Sequence, residues 1–399
     1  MDYWLSAAHR LSEQHPLAAA IVAGALAAGL TFILSLAVGG ICARTGVLDR
    51  PEPRRVHRIP VPRLGGIAIF LSFALVSLLF FVPSGAYELR VYAGLMVAAI
   101  IIVSVMAIDD IRGLPPLFRL AVQIVAALIA MFPGGHGTLI EVIHNPLVTT
   151  HAGHTFLPLA VAVPFTLFWI VGMMNTVNWM DGMDGLAGGV VAITALVMAA
   201  ISWMLGQQSA AILCAVLAGA TLGFLPLNWH PARIFMGDSG AMFLGLALAV
   251  LANVGGAKLA MMLMLLGLPI LDAARVILRR IREGRSILGF DRTHVHHGLL
   301  ARGFGQRQIA LIFYTITAAF GGVTILGAYL QRQATQWHLH TKLVPWLDVT
   351  SSELPTLLGL ASVLVVSILL WRVAARRKNR RATRPLQGLS TASGSHPRP

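Results

Sequence analysis

The chain has 399 residues, of which 57% are hydrophobic and 12% charged, with a mean hydropathy of +0.77. So few charges exclude an ordinary soluble domain of this size and place the chain in a bilayer. The formal net charge of +14 would suit nucleic acid, but basic residues interleaved with long apolar runs are explained by membrane topology and anionic substrates.

The first apolar run, 17–43, is longer than the ~7 to 15 residue core of a signal peptide and is followed by Arg44 rather than a small-residue cleavage site, so a retained span is expected. The two cysteines, Cys42 and Cys214, lie inside apolar runs, which argues against a disulfide framework or a cysteine metal site. At ~20 residues per crossing, about eleven spans are expected, beginning near Leu17, Gly65, Val91, Leu117, Phe156, Gly185, Ala210, Ala241, Leu259, Ile309 and Leu354. The runs after Gly185 and Ala241 are the least marked, so ten is the next count. Only helices or closed barrels satisfy the backbone in lipid, and these runs are too long and apolar for barrel strands. The expected fold is therefore all-α, a polytopic bundle of about 10 to 11 transmembrane helices. Residues 1–371 form the transmembrane domain, and 372–399 form a basic, disordered tail near anionic headgroups.

Lys and Arg orient the bundle. With the N-terminus outside, the segments 44–63, 112–119, 233, 275–307 and 372–398 face the cytoplasm and hold 25 of the 30 basic residues. Arg10, Arg90, Lys258, Arg332 and Lys342 fall on the other side. The outward segment 133–155 carries His136, His144, His151 and His154, whose irregular spacing without companion carboxylates or cysteines reads as a solvated loop rather than a metal site.

In this orientation Asp109 with Asp110, Asp181 with Asp184, and Asp238 all fall at cytoplasmic helix ends. Interfacial anchoring uses Arg, Lys, Trp and Tyr, so acids at three separate ends point to a site. Asp109 and Asp110 end the third span, where the helix dipole is negative and the two carboxylates repel. They need a cation, supplied by Mg²⁺ shared with a phosphate or by Arg112; a pair of solvated acids explains the dipeptide equally well.

In N-T-V-N-W-M-D-G-M-D-G, Asn175, Asn178, Asp181 and Asp184 stand three apart and share a helical face or line a tight loop. Gly182 and Gly185 let backbone approach a ligand, while the Asn and Asp side chains suit a nucleobase, ribose or metal. In F-M-G-D-S-G, Asp238 and Ser239 open the eighth span, where either serves as an N-cap. Free helix-start N–H groups and a carboxylate also suit a pyrophosphate with Mg²⁺, and Phe235 could stack on a base. D-R-T-H-V-H-H sets Arg292, His294, His296 and His297 together, as donors to phosphate and sugar or as a zinc site.

Together, R-R-V-H-R-I-P-V-P-R-L-G-G at 54–66, D-D at 109, N-x-x-N-x-x-D-G-x-D-G at 175, F-M-G-D-S-G at 235, P-x-x-D at 269 and H-x-H-H at 294 resemble the polyprenyl-phosphate N-acetylhexosamine-1-phosphate transferase family. The resemblance runs from about Asp49 to Gln308. It implies a helical bundle in the bacterial cytoplasmic membrane with its active site on cytoplasmic loops, Mg²⁺ (or Mn²⁺) as cofactor, and a homodimer as a candidate assembly. The implied substrates are a UDP-N-acetylhexosamine and undecaprenyl phosphate.

By the same resemblance Asp109 is the candidate for deprotonating the lipid phosphate, with Asp110 positioning metal or substrate. Asp238 is the metal ligand. Asn175, Asn178, Asp181, Asp184 and Phe235 hold the uridine part, and Arg292, His294, His296 and His297 hold the diphosphate and sugar. A phosphate with a second pKa of ~6 is already mostly dianionic at neutral pH, so base catalysis by Asp109 adds little and electrostatic positioning dominates.

The family branch using UDP-muramoyl-pentapeptide typically carries a lysine in its first loop and three consecutive histidines. Here the loop has arginines and the histidines are split, which resembles the branch acting on UDP-N-acetylglucosamine or related sugars. Asp272, within P-I-L-D, belongs to the shared pattern; its expected partner is Arg275 or Arg279. A transporter or flippase is the rival class, but its acids should lie at midplane between repeated halves. A prenyltransferase should carry a third acid after Asp109 and Asp110, where this chain has I-R-G.

Overall fold

The computed structural model describes residues 2–49, 60–132, 139–144, 154–254, 259–286, 293–337, 342–344, 349–350 and 354–375. It is mostly helical, as hydropathy requires. In chain order the helices are α1 (Asp2–Gln14), α2 (Pro16–Thr45), α3 (Gly65–Phe80), α4 (Ala86–Arg112), α5 (Pro116–Met131), α6 (Leu159–Met180), α7 (Leu186–Met204), α8 (Gln208–Asn228), α9 (Gly237–Val254), α10 (Leu259–Leu265), α11 (Gly267–Arg282), α12 (Val295–Leu300), α13 (Gln306–Trp337) and α14 (Leu354–Ala375).

Six helices, α2, α4, α6, α7, α8 and α13, are long and apolar enough to cross a membrane, and α3, α5, α9 and α14 contain shorter apolar stretches. The chain is a multi-pass membrane protein. The run expected as one span from Leu259 is broken at Leu266 into α10 and α11, and α11 carries Arg279, Arg280 and Arg282 in its last turn. The amphipathic α1 was not anticipated, because its 13 residues fall short of a span.

Three short antiparallel ladders accompany the helices: β1 (Leu48–Asp49) with β2 (Val61–Pro62), β3 (Val142–His144) with β4 (His154–Phe156), and β5 (Lys342–Val344) with β6 (Val349–Thr350). The second pairs His144 with His154 where a plain loop was expected, while His136 and His151 lie outside the described residues. Residues 372–375 continue α14, and the rest of the basic tail lies outside them too.

The core is built from α7, α8 and α9, whose side chains are buried almost all round: Phe224, Phe243, Leu244 and Val250 are fully enclosed. Phe243 receives Phe70 and Phe73 edge-on, with ring centroids 5.3 and 5.5 Å away. In contrast, α2 leaves Ile21, Ile33, Leu36 and Ile41 more than half exposed on its outer face, the surface lipid would cover.

Backbone approaches closely where glycines allow it. A Cβ on Gly219 or Gly223 would lie 2.0 Å from a carbonyl oxygen of α2, of Gly24 and Ala28 respectively, a small-residue seam of the kind membrane helices use. At the other crossing, Gly66 of α3 meets Gly240 of α9. There Gly65 N–H donates to Phe235 O, Gly66 N–H to Met236 O and Phe235 N–H to Pro62 O, which locks the starts of α3 and α9 together.

Candidate active site

The C-terminal ends of α4 and α6 and the N-terminal ends of α3, α5, α7, α9 and α13 meet at one end of the bundle. Adjacent residues on a helix point about 100° apart, so Asp109 and Asp110 serve different neighbours. Asp109 is buried. Its Oδ1 accepts the Leu114 N–H at 2.5 Å, which shapes the turn into α5, and its Oδ2 takes Arg119 Nη1 at 3.3 Å.

Asp110 faces α9. Its Oδ1 accepts Asp238 N–H at 2.9 Å, and its Oδ2 accepts Ser239 N–H at 3.2 Å and Ser239 Oγ at 2.9 Å; Arg63 Nε approaches Oδ1 at 3.1 Å. A carboxylate at the end of its own helix, disfavoured by that dipole, thus rests on the positive end of another. The helix-start N–H groups expected for a pyrophosphate are therefore committed to Asp110. Sequence could not show this, because the acceptor lies 128 residues from its first donor. Gly237, at φ +75°, makes the fit possible: a Cβ there would stand 2.4 Å from Asp110 Oδ2.

Asp238, with its side chain 16% exposed, joins the two halves. Arg119 Nη1 reaches its Oδ2 at 3.0 Å and Arg63 Nη2 its Oδ1 at 3.4 Å. Each arginine bridges Asp238 to one member of the 109–110 pair. Arg63 lies in the quoted first-loop motif and Arg119 in the basic segment 112–119 on the same side, and the spacing of the acids marks neither as a partner.

The α6 segment divides. Asn175 gives its amide to Gln123 Oε1 at 2.6 Å and to Val171 O at 2.8 Å, so its donor group serves packing between α5 and α6. Asn178 and Asp181 stay half-buried. Burial, followed by the Asp238 carboxylate, pushes the Asp181 pKa well above the usual carboxylate range, against the pull of Arg63.

Asp184 instead pins the 229–236 loop: its Oδ2 lies 2.6 Å from His230 Nδ1 and accepts Ala232 N–H at 3.2 Å. Gln306 at the start of α13 accepts the Asp184 N–H, Asn228 accepts the Gly185 N–H, and Tyr314 donates to Gly185 O. Phe235 is half-buried between the backbone partners Pro62 and Gly65.

The histidines close the remaining side. A Cβ on Gly182 would lie 3.2 Å from His296 Nε2 and 3.7 Å from His297 Nε2, so the D-G-M-D-G loop and H-x-H-H abut. His296 is 3% exposed and its Nε2 has no partner among the described residues. Burial, with His297 and His294 beside it, pushes its pKa down to about 3, which keeps the ring neutral at physiological pH. His294 stacks on His296 at 5.6 Å and stands 6.1 Å from Trp179. Arg292 lies outside the described residues.

The glycosyl transferase family 4 model matches residues 92–256, which include the acids at 109, 110, 181, 184 and 238. A Mycobacterium tuberculosis decaprenyl-phosphate N-acetylglucosaminephosphotransferase is 34% identical over 75% of this chain and 80% of its own length. The chain belongs to glycosyl transferase family 4. Two other family members are similar: a Bacillus subtilis chain named probable undecaprenyl-phosphate N-acetylglucosaminyl 1-phosphate transferase, 32% identical over 76% of this chain and 83% of its own, and a Salmonella typhi undecaprenyl-phosphate alpha-N-acetylglucosaminyl 1-phosphate transferase, 28% identical over 72% and 78%.

One consequence of this geometry is a stability effect with a definite sign. A carboxyl whose folded pKa is raised stabilises the fold at acid pH, below its unfolded value, and that stability is lost as pH rises through the folded pKa. Asp181→Asn is therefore expected to raise the melting temperature of the metal-free protein at neutral pH, with the gain fading on acidification, while activity falls. A lower melting temperature at neutral pH would show that the Asp181 charge is compensated.

Proposed function

We propose that this family 4 member transfers N-acetylglucosamine 1-phosphate from UDP-N-acetylglucosamine to a polyprenyl phosphate, undecaprenyl phosphate by analogy with its relatives, releasing UMP. The observation that carries the reading is the convergence of Asp109, Asp110, Asp181 and Asp238 with Arg63, Arg119 and the H-x-H-H histidines at one end of an apolar bundle. The reaction joins two anionic phosphates, and such a site offers guanidinium and imidazole donors beside carboxylates.

Four carboxyl groups face two guanidiniums, a balance that favours a divalent cation. Among the described residues no group of three His, Cys, Asp or Glu side chains is disposed to hold a metal by itself. That fits Mg²⁺, which takes one or two carboxylates and completes its shell with water and phosphate oxygens. Asp238, with Asp109 beside it, would hold the ion, which supplies charge neutralisation on the diphosphate. Arg119 and Arg63 bind and orient the phosphates. Asp109, already committed to Leu114 N–H and Arg119, positions the lipid phosphate, whose own dianion is nucleophilic enough at neutral pH. Asn178 and Asp181 face the nucleoside, with Phe235 for the base.

Six long and four shorter apolar helices, with α10 and α11 together making one further passage, support eleven membrane crossings. The Lys and Arg distribution supports an outside N-terminus and a site on the cytoplasmic face, and the bacterial relatives support the inner membrane. The test is UMP release from UDP-N-acetylglucosamine, undecaprenyl phosphate and Mg²⁺ by membranes holding the wild-type protein or Asp238→Ala. UMP that requires lipid and metal, with a loss on the order of a thousandfold in the variant, is expected. Silence from folded wild-type protein with every UDP-N-acetylhexosamine would overturn the reading and favour a transporter.

A further inference from the structure

Asp272 has no task in the reaction as assigned above, yet it is 8% exposed and the centre of a bonded cluster. Arg275 Nη2 donates to its Oδ1 at 2.7 Å, the i+3 partner the spacing suggested. Its Oδ2 does something the spacing could not show: it lies 2.9 Å from His294 Nδ1 and accepts the Val295 N–H at 3.0 Å, closing the first turn of α12. Arg275 also donates to Thr293 O, so the residues before, at and after His294 are each held from α11. The guanidinium stands 5.8 Å from the ring centroid of Trp371 on α14, and Ala374 packs on Gly298 of α12, where a Cβ would approach to 2.7 Å.

We propose that Asp272 is the positioning residue for His294, fixing the ring through Nδ1 so that Nε2 is the atom offered to the donor diphosphate. The assignment deepens the transferase reading and rests on it. A carboxylate on Nδ1 selects one tautomer and one ring orientation, and it supports the protonated ring as an Nε2–H donor when an anion arrives. Around the ring stand Arg275 from α11, His296 and His297 from α12 and Trp179 from α6, and Asp272 is the acid bonded to it. Its own charge is balanced by Arg275, which lets it stay buried.

The experiment compares wild type, Asp272→Asn, His294→Gln and the double variant in UMP release, with kcat and donor KM measured separately. Asp272→Asn should lower kcat roughly ten- to a hundredfold, the range found for partners that orient metal-binding histidines, with a much smaller change in KM. In the double variant the loss should match that of His294→Gln alone, because the two residues act as one unit. Losses that multiply, or a folded Asp272→Asn with an unchanged kcat, would overturn the assignment.

If Asp272→Asn does not accumulate, Asp272→Asn with Arg275→Gln removes both charges of the pair and carries the same expectation. A silent wild type would count against the transferase reading instead. The coupling would then be read from melting temperatures of the same four proteins, where additive shifts overturn the Asp272 to His294 link.

Discussion

Asp110→Ala should both unfold the site and abolish UMP release, whereas Asp109→Asn should lose activity from a protein that melts near the wild-type temperature. Removing the Asp110 carboxylate strands the Asp238 and Ser239 N–H groups and the Ser239 hydroxyl, and leaves the Arg63 guanidinium with Asp238 alone. Each orphaned donor costs about 1–3 kcal/mol if water cannot reach it. Asp109→Asn keeps a side-chain oxygen for Leu114 N–H and loses mainly its hold on Arg119. Thermal melting in detergent alongside UMP release separates the two. An Asp110→Ala protein with a wild-type melting temperature and no activity would mean that Asp110 acts on substrate rather than on α9.

Gly66→Ala should reduce turnover by on the order of a hundredfold or more, the loss a displacement of about 1 Å can cause. The new Cβ would stand 2.1 Å from Gly240 N and 2.3 Å from Gly240 Cα, both backbone atoms that cannot rotate away. The start of α9 must shift, and Asp238 moves with it. Gly219→Ala is the matched control. Its Cβ would meet the Gly24 carbonyl at 2.0 Å in the α2–α8 seam, away from the acids. It should destabilise by about 1–3 kcal/mol, as overpacking does, and leave the specific activity of the folded fraction near wild type. Equal activity losses in both variants would show that the α3–α9 crossing has no special tie to the site.

Much of the site was legible because membrane helices alternate direction. Once the spans are placed, residues at alternate ends share a side, so Asp109, Asp110, Asp181, Asp184, Asp238 and the H-x-H-H segment could be grouped before any contact was known. Roles within the group were less legible. Asn175 continues the three-residue spacing of Asn178 and Asp181, yet its amide donates to Gln123 and Val171. Asp184 matches Asp181 in motif and is spent on His230 and Ala232. Spacing reports which face of a helix a residue occupies, not which neighbour that face meets.

What the sequence determined by itself is what depends on local composition: residence in a bilayer, the helical class, and the collection of acids and histidines at one end. Hydropathy is a property of a run of about 20 residues, so it survives without knowledge of the fold. What only the tertiary structure decided is the partner of each charged group. Arg63 and Arg119 bridge the acids, Asp110 closes the start of α9, and Asp272 holds His294. Asp110 meets its α9 donors, and Arg119 its Asp238 partner, across more than 100 residues of chain. A carboxylate takes its chemistry from the donors around it, and those donors arrive only when the helices pack.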